Sequence, residues 1–125
     1  MKNSVYLPPS EEKLAHILWE NEPMKVIDIV RIARECWDWK RTTTTTLLKR
    51  LEEKGIVKNE NAMLSSKIGK DEFYTSQSRE FVNDVYGGSL PQFVASFIGK
   101  KKLSAAQVAE LKELIERHQD ESRVW

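Results

Sequence analysis

The sequence predicts a mainly α-helical fold, with three helices and a β-hairpin in the first half and three further helices in the second. Two observations lead to this expectation. Apolar residues recur at helical spacing in six segments, and two short segments of strand character flank a polar turn after the third of them. With 125 residues, 40% of them hydrophobic, the chain can form one compact domain, or a small domain with an oligomerisation arm.

The first two helices are predicted from helix-breaking residues at their ends and from the spacing of the apolar residues between them. The segment Pro8–Ser10 combines a helix breaker with Ser10 as an N-cap, and apolar residues then recur up to the break at Asn21–Pro23. A helix is therefore expected over roughly residues 11–21, with Leu14, Ile17 and Leu18 on its apolar side. A second helix is expected over roughly residues 26–36, with an inner stripe of Ile27, Val30, Ile32 and Ala33.

The third segment begins with five threonines, Thr42–Thr46, whose intrinsic propensity favours a strand over a helix. Thr44, however, shares a helical face with three leucines at i+3, i+4 and i+7, and Gly55 follows as a helix C-cap. The segment is therefore predicted to be one helix with Thr44 on its inner side. Its outer side carries only hydroxyls and cations before Glu52, from Thr42, Thr43, Thr45, Thr46, Lys49 and Arg50.

Two segments of strand character follow Gly55. Ile56–Lys58 and Ala62–Ile68 are the candidate strands, and Asn59–Asn61 is the candidate turn between them. A hairpin directly after a helix-turn-helix is the wing of a winged helix-turn-helix, so residues 1–70 are predicted to form a DNA-binding domain. Lys58 and Lys67 would then lie within reach of a duplex backbone.

Residues 71–125 are predicted to form a helical dimerisation region. Three apolar helical segments are separated by Gly87-Gly88 and by Ser104 as an N-cap. Such apolar helices need a partner surface, and a symmetric homodimer is the commonest solution; a monomeric subdomain packed on the first half is the alternative. The residues expected in the dimer interface are Phe81, Val85, Leu90, Phe93, Val94, Phe97, Ile98, Val108, Leu111, Leu114 and Ile115.

The sequence contains no pattern typical of catalysis or metal binding. It has no paired catalytic carboxylates, no Ser/His/Asp set and no glycine-rich phosphate loop, so we expect neither an enzyme nor a cofactor or metal. Cys36 is the only cysteine and is expected to be a small buried thiol, with a redox switch or nucleophile as the alternative. His16 and His118 are expected on helix surfaces or in helix packing.

No membrane segment or secretory signal is predicted. The apolar runs are shorter than the roughly 18 residues of a spanning helix, and the first ten residues, MKNSVYLPPS, contain no apolar signal region. The cytoplasm is therefore the expected compartment. The net charge is only +1, but residues 1–70 carry 13 Lys and Arg against 10 Asp and Glu, so the positive charge lies in the predicted DNA-binding half.

An ordered set of short motifs extends over residues 8–118. In chain order they are Leu18-Trp19-Glu20, Asp38-Trp39, Thr46–Leu51, Lys54-Gly55, Tyr86–Leu90 and Leu103-Ser104. At these spacings the chain resembles the penicillinase-repressor family (BlaI/MecI/CopY), and the BlaI/MecI branch more closely. The resemblance implies a dimeric winged-helix transcriptional repressor that binds a palindromic operator through its N-terminal domain and pairs through its C-terminal helices.

The third helix would be the recognition helix of such a repressor. Threonine supplies a hydroxyl for phosphates or base edges and a methyl group that can pack on the methyl of thymine. The resemblance implies base contacts at Thr43 and Thr46, because at these two positions the chain has the same residue type as the family. The full set expected to contact DNA is Lys40, Arg41, Thr42, Thr43, Thr45, Thr46, Lys49 and Arg50 from the helix and Lys58 and Lys67 from the wing.

The chain departs from the family at the start of this helix. Lys40 and Arg41 stand where the family has Ser-Pro, so the N-cap is missing and two cations oppose the helix dipole. We therefore expect the first turn to fray in the free protein and to become ordered on DNA. Thr44 replaces a Val or Ile, and its hydroxyl needs a partner, most simply the carbonyl of Lys40.

The resemblance implies two possible mechanisms of release from DNA. Copper-responsive members carry Cys-X-Cys pairs near the C-terminus, and Arg117–Trp125 contains none, which disfavours copper sensing. β-Lactam-responsive members are cut by a sensor protease at a bond that aligns with Ser96–Phe97, which suggests control of an antibiotic-resistance operon. The alternative function is a winged-helix module for protein–protein assembly without sequence-specific DNA binding.

Overall fold

The computed structural model describes residues 5–119. Residues 1–4 and most of the tail considered for copper sensing lie outside this range. The helices are α1 (Pro9–Asn21), α2 (Val26–Trp37), α3 (Arg41–Glu53), α4 (Lys70–Tyr86), α5 (Leu90–Ile98) and α6 (Ala105–Arg117), and the strands are β1 (Met24–Lys25), β2 (Val57–Glu60) and β3 (Met63–Ser66). The predicted fold class, a mainly helical chain with a small hairpin after the third helix, is confirmed.

Helix α1 begins earlier than predicted, so the expectation that Ser10 is its N-cap was wrong. Pro9 occupies the first helical position, where its fixed φ suits a helix and its missing N–H is not needed. The backbone N–H of Glu12 donates to the carbonyl of Pro8 at 2.9 Å, which places Ser10 inside the first turn.

The predicted inner stripe of α2 is confirmed at Ala33, which is buried, and at Val30 and Ile32, which are partly buried, but not at Ile27. Ile29 and Ala33 are fully buried, whereas Ile27, expected on the inner side, is 60% exposed. Ile29 and Ala33 are four residues apart and share a face, from which Ile27 is turned away. The expectation of a buried Cys36 thiol was also wrong, because Cys36 lies in the last turn of α2, beyond its buried part, and is exposed.

The three strands form an antiparallel sheet in the order β1-β3-β2. Strand β1 was not predicted, because two residues are too few to show an alternating pattern. The predicted turn was displaced: β2 continues through Glu60, and the turn residues are Asn61 and Ala62, both with positive φ, at 54° and 65°. A two-residue turn of this kind matches the twist of a hairpin, and asparagine tolerates its left-handed backbone.

The chain divides into two compact units, the first extending to Phe81 and the second beginning at Val82. The core of the first unit is formed by α1, α2, α3, the sheet and Phe73 from the start of α4. Burial of Phe73 explains why this unit continues past residue 70. The assignment of separate functions to residues 1–70 and 71–125 stays a prediction.

The second unit consists of the end of α4 with α5 and α6. Gly87 and Gly88 end α4 with positive φ angles of 58° and 85°, which glycine adopts without strain. Ser104 caps α6 as predicted: its hydroxyl accepts from the N–H of Gln107, and the Gln107 side chain accepts from the N–H of Ser104.

Candidate nucleic-acid interface

Helix α3 is held in place by an apolar inner face. Thr44, Leu47, Leu48 and Leu51 are buried, as the helical spacing predicts. Gly55, with φ of 81°, ends the helix, and its N–H donates to the carbonyl of Glu52 at 3.0 Å. The five-threonine run is therefore helical because burial of this face outweighs the low helix propensity of threonine.

Thr44 is fully buried, and the predicted partner of its hydroxyl is not found. Its Oγ1 has no hydrogen-bond partner within the described range. The carbonyl of Lys40 instead accepts from the backbone N–H of Thr44 at 3.1 Å. The expectation of a side-chain bond to Lys40 was therefore wrong.

The outer face of α3 is polar, cationic and exposed. Thr42, Thr43 and Thr46 are all exposed, and so are the cations at both ends of this stretch, Lys40, Arg41, Lys49 and Arg50. None of these four cations forms an ion pair with a carboxylate in the described range. Four positive charges and three free hydroxyl-bearing side chains thus face solvent on one helix.

Thr45 differs from the other outer threonines. It is only partly exposed, and its hydroxyl donates to the carbonyl of Thr42 at 3.2 Å. It lines a groove between α3 and the hairpin, together with Lys49 and Asn59 among others. Thr45 is therefore turned towards the wing, whereas Thr42, Thr43 and Thr46 are more exposed.

The hairpin carries the two lysines expected in the wing. Lys58 is exposed on β2, and its Nζ lies 3.3 Å from the carboxylate of Glu60. Lys67 follows β3, is exposed, and its backbone N–H donates to the carbonyl of Ile56 at 2.8 Å. Both lysines are thus accessible, but the charge of Lys58 is partly offset by its neighbour.

Partly buried polar contacts join α1 to α3 and to α4. The Nζ of Lys54 at the end of α3 pairs with the carboxylate of Glu11, which is 2% exposed. On α4, the hydroxyl of Tyr74 donates to Glu12 and lies 2.8 Å from Nε2 of His16. Burial raises the pKa of Tyr74 to about 12, and the hydrogen bond to Glu12 and its charge act in the same direction.

The second unit exposes most of its apolar side chains. Helices α5 and α6 contain no buried residue, and Phe97 is 78% exposed. Of the predicted interface residues in this unit, Phe93, Ile98 and Val108 are partly buried, and the exposed ones are Val85, Leu90, Val94, Phe97, Leu111, Leu114 and Ile115. Phe81, the last residue of the first unit, is also exposed. A groove of about 620 Å³ runs between α5 and α6 and is lined by Phe93, Phe97, Leu111 and Leu114 among others.

The predicted proteolytic bond lies within α5. Ser96 is exposed, and its Oγ accepts from the hydroxyl of Tyr86 at 2.8 Å. Cleavage between Ser96 and Phe97 would require the helix to unwind locally, since helical backbone does not fit an extended protease cleft.

The described residues offer no site for a metal ion and no membrane span. Between residues 5 and 119, no group of three or more His, Cys, Asp or Glu side chains is placed to bind a metal. No helix in the same range is long and apolar enough to cross a bilayer.

Comparison with known proteins gives matches over nearly the whole chain. The sequence profile of the family described as "Penicillinase repressor" matches residues 7–117. The chain is 21% identical to the "Penicillinase repressor" of Bacillus licheniformis over an alignment of 127 residues, which covers 98% of this chain and 99% of that protein. It is 26% identical over 122 residues to "Methicillin resistance regulatory protein MecI" of Staphylococcus aureus strain N315, covering 94% and 99%. It is also 26% identical over 115 residues to the "Penicillinase repressor" of Staphylococcus aureus, covering 89% and 91%.

Proposed function

This chain belongs to the penicillinase repressor family, and we propose that it acts as a homodimer on a palindromic operator in the cytoplasm. Members of the family are DNA-binding regulators and not enzymes, so the chain is a transcriptional repressor of the BlaI/MecI type. In the proposed complex α3 enters the major groove of each half-site. Half-sites read by a symmetric dimer are centred about one or two helical turns apart.

The exposed face of α3 is the observation that carries this proposal. It presents the hydroxyls of Thr42, Thr43 and Thr46, with cations before and after them that form no ion pair among the described residues, and Glu52 is the first acidic residue of α3. Threonine can contact base edges and the methyl of thymine, and short side chains allow the helix backbone to lie deep in the groove. Cations at both ends can neutralise phosphates without reading sequence.

The proposal divides the residues between two roles. Thr43 and Thr46 read bases, and Thr42 contributes from the same face. Thr45, whose hydroxyl is already bonded to Thr42, contributes from the side that faces the wing. The remaining candidates contact the phosphate backbone: Lys40, Arg41, Lys49, Arg50, Lys58 and Lys67.

The test compares Thr46→Ala with Lys49→Ala, on an operator selected from a pool of random duplexes. Loss of a base contact should weaken specific binding by ~1–3 kcal/mol and leave binding to random duplex nearly unchanged. Loss of a phosphate contact should weaken both and lower the salt dependence. The matched control is Thr75→Ala, an exposed threonine on α4 that should leave both affinities unchanged.

Two results would argue against this function. Equal and uniform losses for Thr46→Ala and Lys49→Ala would remove the base-reading role of Thr46. Binding to duplex DNA that does not depend on salt would point instead to an assembly module, because phosphate contacts release counterions.

The proposed dimer forms through the apolar surfaces of the second unit. Seven large apolar side chains of the predicted interface are exposed on this unit, and the groove between α5 and α6 is rimmed by charged residues. Exposed apolar surface flanked by polar residues is typical of protein–protein interfaces.

We further propose that the repressor controls an antibiotic-resistance operon and is released by cleavage between Ser96 and Phe97. The names of its relatives, a penicillinase repressor and a methicillin resistance regulator, support the operon class. The test is incubation with a β-lactam sensor protease, taken from the neighbourhood of the gene where one is encoded there, followed by mass spectrometry of the fragments. A chain that stays uncut between residues 90 and 103 would exclude this mechanism.

A further inference from the structure

A second groove lies between the hairpin and the start of α3, and we call it the wing groove. It has a volume of about 440 Å³. Its walls come from the junction of β1 and α2, from the hairpin and from the first residue of α3. Its lining includes Lys25, Ile27, Asn59, Asn61, Met63 and Arg41.

Lys25 reaches this groove because of the register of the sheet. It pairs with Met63 across the β1–β3 ladder, so the two side chains lie on the same face, away from buried Met24 and Leu64. Sequence reasoning did not select Lys25, because it depended on a strand of two residues.

The two cations of the wing groove are exposed and unpaired. Neither Lys25 nor Arg41 forms an ion pair with any carboxylate of residues 5–119, whereas Lys58 on the same hairpin is paired with Glu60. No carboxylate lines the wing groove. Its charge is therefore available to an anion.

A neighbouring groove, which shares Val26 and Asn59 with the wing groove, is lined by two acidic residues, Glu52 and Glu53. That groove follows α3 in the direction of its C-terminus, from Thr45 to Glu52 and Glu53. Lys49 also lines that groove, so its charge is mixed, whereas the wing groove is lined by cations and by no carboxylate. Of the two grooves beside the hairpin, the wing groove therefore has the more favourable charge for a phosphate.

We propose that the wing groove seats one phosphate of the duplex DNA backbone, with Lys25 and Arg41 as its cationic contacts. The side-chain amides of Asn59 and Asn61 can donate to the phosphate oxygens, and exposed Ile27 and Met63 offer an apolar surface for the adjoining sugar. This proposal rests on the proposed function, to which it adds a contact from β1. DNA is the favoured anion because the wing groove adjoins the exposed face of α3, and exposed cations hold a small free anion only weakly in salt.

The test uses Lys25→Ala in the full-length protein and a random-sequence duplex of about 30 base pairs, three helical turns. A phosphate contact does not depend on sequence, so no operator is needed. Loss of one contact should lower the slope of log affinity against log salt by about 0.9 per bound protomer. The affinity should fall roughly eightfold per protomer at 0.1 M salt and progressively less towards 1 M.

Three further variants isolate the charge at this position. Lys25→Arg keeps the charge and should bind within about twofold of the wild type. Lys25→Gln keeps a polar side chain without the charge and should behave as Lys25→Ala. Lys100→Ala removes one exposed lysine from the turn after α5 and should not reproduce the loss of slope, which excludes an effect of net charge alone.

The outcomes separate this contact from the function on which it rests. If Lys25→Ala and Lys25→Gln bind as Lys100→Ala does, while Thr46→Ala still weakens operator binding, the phosphate seat is wrong and the repressor function stands. If the wild type shows no salt-dependent binding to any duplex, both proposals fail.

Discussion

Thr44 is a residue whose side chain fits the core in shape but not in polarity. Its methyl group shares the inner face of α3 with three leucines, and its hydroxyl has no partner among the described residues. A buried hydroxyl without a hydrogen bond loses the solvation that it has in the unfolded chain. Thr44 therefore weakens the first unit while filling the same volume as a valine.

We expect Thr44→Val to raise the free energy of unfolding by ~1–2 kcal/mol, because the shape is kept and the unsatisfied hydroxyl is removed. The midpoint of thermal unfolding should rise by roughly 3–8 °C, as followed by circular dichroism. Thr75→Val is the matched control on an exposed helix surface and should change the free energy by less than about 0.5 kcal/mol. A destabilised Thr44→Val protein would mean that the hydroxyl is bonded in solution.

At the residue scale, the sequence predicts positions better than partners. Helical spacing placed Thr44 inside correctly, because the leucines around it define the face without ambiguity. Helical spacing wrongly placed Ile27 and Cys36 in the core. The apolar residues of α2 are so numerous that more than one face of the helix fits the spacing of a buried stripe. The missing partner of Thr44 depends on atoms from other elements, which spacing does not describe.

The start of α3 has weak local support. Lys40 occupies the N-cap position without a side-chain hydrogen bond, and the first turn contains no acidic residue. The next residue, Arg41, adds a second cation to the positive end of the helix dipole. A phosphate bound here would reverse this unfavourable interaction.

We expect backbone amides of residues 40–43 to exchange hydrogen faster in the free protein than in the DNA complex. The first turn of α6 is the internal control, because its capping box satisfies the same kind of backbone groups without DNA. Hydrogen exchange measured by mass spectrometry or NMR would show protection on DNA at residues 40–43 and little change at 105–108. Equal protection of residues 40–43 in both states would contradict the expectation.

At the element scale, the long periodic segments were predictable and the short ones were not. All six helices were predicted, and the two with predicted bounds, α1 and α2, begin and end within two residues of them, because each helix carries a continuous apolar stripe. Strand β1 and the turn at Asn61–Ala62 were missed, since both depend on pairing with β3. The proposed phosphate contact of Lys25 could therefore not be predicted from the sequence either, because Lys25 lies in β1.

The whole molecule consists of two units with different kinds of surface. The first has its own apolar core, from Leu7 to Phe73. The second exposes Phe97, Ile115 and other large apolar residues, and its last two helices bury none. Such a unit is stabilised when a partner covers it, so folding and association should be coupled.

We expect Ile115→Glu to weaken the proposed dimer at least tenfold, because a charge would enter an apolar interface at a cost above ~1.4 kcal/mol. The side chain is 65% exposed in the single chain, so the substitution should not unfold a monomer. Sedimentation equilibrium would report the association. The unfolding midpoint of the wild type should rise with protein concentration, and that of the variant should not.

The control for this experiment is Thr75→Glu, which adds the same charge to an exposed position of α4 in the first unit. It should associate as the wild type does. A wild-type protein that stays monomeric at all concentrations would support a monomeric subdomain instead. From the sequence, the apolar character of this half was predictable, but which side chains stay uncovered follows only from the packing of α5 and α6.

Strand β3 has a hydrogen-bonded neighbour on each edge, β1 on one side and β2 on the other. A hairpin held in this way keeps its shape before it meets a ligand, so little chain entropy remains to be lost on encounter. The start of α3, by contrast, should lose mobility on contact. Association with DNA would then occur in two steps: the preformed wing binds first, and the first turn of α3 becomes ordered afterwards. Dissociation should accordingly begin at Arg41 and not at the wing.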